Sequence, residues 1–195
     1  MRVLVACEHS GIVREAFRAL GHDAWSCDIL PAQDNSEYHY QEDVLKLLER
    51  IPNWDLMIAH PPCTHLAVSG ARWFKDKPPH LQEDALDFVQ KLMNMDIPKI
   101  AIENPVGVIS SKIRKPDQYI QPYEYGHTTR KKTGLWLKNL PLLEPTNIVE
   151  PILKTYANGK TFSADYGVGF QTKHGHRRSL FFEGIAQAMA EQWGE

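Results

Sequence analysis

Four short apolar runs in the first half of the chain, RVLVA at 2–6, DAWSC at 23–27, LMIA at 56–59 and KIAI at 99–102, alternate with segments of helical periodicity. Runs of this length, spaced by amphipathic helices, build βαβ units and a mostly parallel sheet. Ile12, Ala16, Phe17 and Leu20 give the first intervening segment one apolar face, and Gly21 stops it. VLKLLERI at 44–51 predicts a short helix and LQEDALDFVQKLMNM at 81–95 a long amphipathic one. After about residue 105 the pattern dissolves into turn residues and aromatics, with a strand predicted at GLWL and a closing helix at FFEGIAQAMAEQWG. The expectation is a Rossmann-like, doubly wound α/β fold in a single domain, 1–195, within which 105–178 is an irregular basic segment. No internal repeat, low-complexity tract or interdomain linker interrupts it.

At 195 residues, with 43% hydrophobic and 24% charged residues, the chain is long enough to bury a core. No apolar run approaches the roughly 18 residues of a membrane span, and the apolar stretch in MRVLVACEHSG is too short for a signal peptide. Three cysteines, none in a CxxC pair, fit reduced thiols rather than a disulfide framework, and the cytoplasm is the expected compartment. Charge is unevenly spread: residues 1–111 carry 10 Lys and Arg against 16 Asp and Glu, whereas residues 112–178 carry 12 against 5. The basic stretch is either a solvated surface or one face turned toward a polyanion. Its runs SKIRK and RKK lie near Tyr119, Tyr123, Tyr125 and Trp136, a mixture suited to gripping phosphate and stacking on bases.

In a doubly wound sheet, ligands bind outside the carboxyl ends of the strands. Four acids fall near such ends: Glu8, Asp28, Asp43 and Glu103. Taken singly, each is more often a helix cap or a solvated acid than a ligand-binding group. Asp28, at the end of the second strand, is where a nucleoside ribose is held through its hydroxyls. CEHSG after the first strand offers a single glycine and no G-x-G-x-x-G, which disfavours NAD and favours a nucleoside cofactor without phosphates.

In DLMIAHPPCTHLAVSG at 55–70, Pro61 and Pro62 end the strand, since neither can donate a ladder hydrogen bond, and leave Cys63 on a stiff loop. From the residues alone, both a structural and a reactive thiol stay open. His60, Cys63 and His65 form H-x-x-C-x-H, and His174 with His176 forms H-x-H. Neither spacing is a common zinc signature, and no metal is expected.

Taken in order, these segments resemble the cytosine-C5 methyltransferases that use S-adenosylmethionine. DLMIAHPPCTHLAVSG is similar to the Pro-Cys catalytic motif, IAIENP to the Glu-Asn-Val motif and CEHSGIVREAFRALGH to the first cofactor motif with its helix. CDI resembles the ribose-binding acid, EDV the Gly-Asp motif that holds the adenine amine, and TTRKKT the Gln-x-Arg motif. The resemblance runs from residue 1 to about 137, with a weaker echo in the last helix, and implies a sheet of the class I methyltransferase type.

It also implies roles. Cytosine C5 is too weak a nucleophile to take a methyl group from a sulfonium, so a thiolate, Cys63, first adds to C6. A carboxyl group of raised pKa, Glu103, assists at N3, and Arg130 is the cationic donor to O2. For the thiol to react it must be partly ionised, with Arg130 or a helix N-terminus lowering its pKa. The cofactor contacts implied are Cys7, Glu8, Ser10, Gly11, Asp28, Ile29, Asp43, Val44 and Pro62; Thr64, Ser69 and Asn104 would meet the base. The sequence departs from the family at Thr64 for Gln, at Pro105 for Val after Glu-Asn, and at Thr128 for Gln. Only about 45 residues separate the Arg motif from the last helix, where the family carries a large target-recognition region. DNA with little sequence specificity is the expected substrate. A free cytosine nucleotide, or nucleic-acid binding without catalysis, is the alternative.

Overall fold

The computed structural model describes residues 1–68, 78–155, 159, 161–163 and 181–195. Seven strands form one sheet: β1 (Arg2–Ala6), β2 (Asp23–Asp28), β3 (His39–Gln41), β4 (Leu56–Ala59), β5 (Lys99–Pro105), β6 (Gln118–Ile120) and β7 (Thr133–Lys138). Their order is β3-β2-β1-β4-β5-β7-β6. The first five are parallel, and β7 runs antiparallel to both of its neighbours. The expected doubly wound α/β fold is borne out.

The period-2 alternation of the central strands explains how both faces are covered. Val3, Val5 and Ile58 point to one side, where α1 (Ile12–Ala19) and the C-terminal helix α5 (Glu183–Trp193) bring Val13, Phe17, Ile185, Met189 and Trp193. Leu4, Ala6, Met57 and Ala59 point to the other side, against Leu47 of α2 (Val44–Arg50) and Val89 and Leu92 of α3 (His80–Met93). All of these side chains are buried. Each apolar run predicted as a strand or helix forms at its predicted place. Within 105–178, a short helix α4 (Ile109–Lys112), β6 and the hairpin of β8 (Leu153–Thr155) with β9 (Thr161–Ser163) join the strand expected at GLWL.

The chain builds outward from β1 to β3 and then returns, so that β4 lies on the other side of β1. This reversal opens a crevice between the carboxyl ends of β1 and β4. Gly11 makes the turn from β1 into α1 with φ of 79°, a left-handed conformation. A Cβ there would collide with the guanidinium of Arg14, which is fully buried and bonds Ser26 Oγ at 2.8 Å and the Asp34 carboxylate. Gly21 is also left-handed, at 82°, but a Cβ on it would meet nothing within 4 Å. Gly21→Ala should therefore cost only the backbone strain of about 1–2 kcal/mol, and Gly11→Ala clearly more, read as the shift of the urea unfolding midpoint. Equal losses would mean that the Arg14 packing does not restrict Gly11.

Candidate functional site

A cavity of about 400 Å³ sits in the crevice, lined among others by Cys7, Asp28, Ile29, Asp43, Val44 and Pro62. Phe88, Leu81 and Ala85 of α3 close its apolar side, while Glu42 and Asp84 add carboxylates to those of Asp28 and Asp43. Asp28 Oδ1 accepts the backbone N–H of Leu30 at 2.9 Å, which turns the chain away after β2. Asp43 Oδ1 accepts from Leu45 N at 2.8 Å and caps α2. Size, an apolar slot and a few acids are the features of a small-molecule pocket.

Glu8, Ser10 and Gly11 are not among that cavity's lining residues. Glu8 is buried, and its Oε1 accepts from Val13 N at 2.7 Å and Ser10 Oγ at 3.2 Å while Oε2 accepts from Arg14 N at 3.2 Å. In the first turn of α1, the N–H groups of Val13 and Arg14 are thus taken by the protein's own carboxyl group and that of Ile12 by Ser10 Oγ at 3.4 Å. Burial pushes Glu8 above the usual carboxylate range, against the His60 charge and these N–H bonds. Ser10 and Gly11 line a separate hollow of about 480 Å³ between α1 and α5.

Beyond β4, Cys63 is exposed on a tight turn, its carbonyl accepting from Leu66 N at 3.0 Å and Ala67 N at 2.9 Å. This loop is stitched to the segment after β5: Val68 N donates to Val106 O at 3.0 Å and Val108 N to Leu66 O at 2.9 Å. Asn104, buried on β5, donates from Nδ2 to Pro61 O at 2.7 Å, and its Oδ1 finds no partner among the described residues. Thr64 is exposed beside Cys63, and Ser69 lies outside the described residues. The other two cysteines are poor nucleophiles. Burial and nearby Asp28 raise Cys7, and burial pushes the Cys27 thiol up to about 12.

Glu103 departs from expectation. Burial pushes its carboxyl up, but the hydrogen bond from His60, the charge of Lys131 and the Thr133 hydroxyl outweigh it and hold the group below the usual range. The raised pKa implied by the resemblance is therefore corrected: Glu103 is the ionised partner of His60, whose Nδ1 lies 3.1 Å from Oε2. Arg130 is exposed, its N–H held by Ser163 Oγ at 3.1 Å. Sequence reasoning missed His60 and Lys131 as the groups acting on Glu103. Their signals were position alone, directly after β4 and two residues ahead of β7. Of the histidines weighed for zinc, His60 bonds Glu103, His65 lines the cavity, and His174 and His176 lie outside the described residues. No group of three His, Cys, Asp or Glu among the described residues could hold a metal ion. No helix among them is long and apolar enough to cross a membrane.

No protein-family model and none of the curated proteins matches the chain. Among solved structures, the chain is similar to a proposed DNA modification methyltransferase encoded within an E. coli prophage, with a TM-score of 0.51 and 16% identity. The match covers 77% of this chain and 52% of that one, so this chain spans about half of that protein's length. A likeness at this identity establishes a shared α/β fold.

The depressed Glu103 carboxyl has a consequence for acid stability. Because the unfolded chain takes up this proton at the ordinary carboxylate pKa and the folded chain resists it, its contribution is present above that pKa and lost as pH falls through the lower folded value. Glu103→Gln should accordingly lose less stability than the parent between about pH 5 and pH 3, measured by urea unfolding at a series of pH values. Parallel losses would show that Glu103 is not held ionised.

Proposed function

We propose that the chain is an S-adenosylmethionine-dependent methyltransferase acting on C5 of cytosine in DNA, with little sequence specificity, through a covalent bond from Cys63 to C6. One adjacency carries this reading. Residues matching three separate cofactor motifs line a single cavity, Pro62 belongs to its wall, and the next residue, Cys63, sits on a loop tied to the segment that follows Glu103. The cavity suits an adenosyl group: Asp28 would take the ribose hydroxyls and Asp43 the adenine amine, against Ile29, Val44 and Phe88. The occupied start of α1 argues against a pyrophosphate ligand there. When bound, the cofactor supplies the methyl group on its sulfonium.

The chain's own residues account for the rest. Cys63, the exposed thiol of the three, adds to C6 and makes C5 an enamine carbon able to attack. Glu103 meets N3, and Arg130 would take the charge developing on O2. After transfer the C5 proton leaves and the thiol is eliminated. Exposed Lys112, Arg114, Lys115, Arg130 and Lys132 supply cations for a phosphate backbone while one base is flipped out. The likeness to a proposed DNA modification methyltransferase supports DNA over a free nucleotide. We read 1–195 as a single domain and place it in the reducing cytoplasm, where a working thiolate stays unoxidised.

A duplex carrying 5-fluorocytosine has no removable C5 proton, so elimination is blocked after transfer. A protein–DNA adduct requiring S-adenosylmethionine should appear in denaturing mass spectrometry and vanish in Cys63→Ser. Methylation by Cys63→Ser at the parental rate would refute the mechanism, and labelled transfer to dCMP but not to duplex DNA would move the chemistry to the nucleotide. By calorimetry, Asp28→Ala should bind S-adenosylmethionine about 10-fold more weakly or worse, since the ribose hydroxyls lose their charged acceptor. Unchanged affinity would mean that the cofactor lies elsewhere.

A further inference from the structure

An acid, an imidazole and a second acid lie side by side across the three central strand ends. Glu8 follows β1, His60 follows β4 and Glu103 lies on β5, and these strands are neighbours in the sheet. His60 N donates to Ala6 O at 2.9 Å, which fixes its backbone to the end of β1. Its ring packs on Phe181 with centroids 4.6 Å apart; Nδ1 bonds Glu103, and the buried Nε2 finds no hydrogen-bond partner among the described residues. The charged groups acting on this pair are Glu8 from the end of β1 and Lys131 ahead of β7, with the Thr133 hydroxyl also on Glu103.

Resting on the methyl-transfer reading, we propose that His60 holds the proton that Glu103 delivers to N3 of the target cytosine, which makes His60 a positioning residue acting through Glu103. A lone carboxylate kept ionised by Lys131 and Thr133 has no proton to give. A protonated His60 beside an ionised Glu103 holds the same number of protons as a neutral imidazole beside a carboxylic acid, and loss of water around the pair favours the uncharged form. As the Cys63 thiolate forms its bond to C6 and electron density moves to N3, the single proton of the pair passes from Nδ1 through the Glu103 carboxyl group to N3, leaving neutral imidazole beside an ionised carboxylate. When the thiol is eliminated, N3 returns its proton to the carboxylate and the carboxylate returns one to Nδ1. No other reactant is consumed.

The test is kcat against pH for methyl transfer to duplex DNA at saturating S-adenosylmethionine, for the parent, His60→Asn and Lys131→Gln. The parental rate should fall on the alkaline side as the pair loses its proton. His60→Asn, which keeps a donor to Glu103 but holds no proton, should move that fall to lower pH by about one unit or more. It should turn over about 100-fold more slowly at pH 8, with the KM for S-adenosylmethionine changed by less than about twofold. Lys131→Gln removes the cation that keeps Glu103 ionised, so it should move the fall to higher pH; it also carries the test if His60→Asn does not fold. An active parent whose alkaline fall stays in place in the folded variants, with rates lowered equally at every pH, overturns the proposal alone. A parent that transfers no methyl group to cytosine overturns it together with the reading beneath it.

Discussion

The molecule is organised by the carboxylate of Glu8. It is buried, and it accepts the N–H groups of Val13 and Arg14 together with the Ser10 hydroxyl. Those amides are donors that a helix start cannot satisfy from within itself, and a buried start without acceptors would be costly. By filling them, Glu8 fixes the angle at which α1 leaves β1 and lets Val13 and Phe17 reach the core shared with α5. The same turn seats Arg14, whose fully buried guanidinium bonds Ser26 on β2 and Asp34 in the loop beyond it. One acid thus ties the first strand, the first helix and the loop that follows Asp28.

This arrangement explains a chemical choice. A nucleotide-binding crevice normally offers a helix start to phosphate. Here the protein's own Glu8 carboxyl group occupies that position, and the crevice beside it keeps an apolar slot edged by Asp28 and Asp43. Anything with a pyrophosphate would meet carboxylates where it needs donors.

Much of this was legible in the residues. Short apolar runs alternating with amphipathic helices specify strands and their parallel pairing, because each intervening helix carries the chain back across the sheet. The acids were legible as strand-end residues but not in their division of labour. Glu8 and Asp43 both cap helices, the plainer of the two readings open for them, and Asp43 also lines the cavity. The state of Glu103 was not legible, since it depends on His60 and Thr133, which neighbouring strands bring to it from 43 positions before and 30 after in sequence. Short strands such as β3 and β6 escaped for a related reason. With three residues each, they are held by pairing to β2 and β7 rather than by any pattern of their own.

The antiparallel course of β7 has a consequence for how such a protein can diverge. Because β7 runs against β5, Thr133 pairs with Pro105 and the chain reaches the site edge from outside the sheet, through Arg130, Lys131 and Lys132. Lys131 and Thr133, which share with His60 the setting of the charge on Glu103, therefore belong to a different stretch from the residues that line the cavity, none of which comes from beyond α3. Substitutions ahead of β7 can therefore shift the charge on Glu103 while the lining of the cavity is inherited intact.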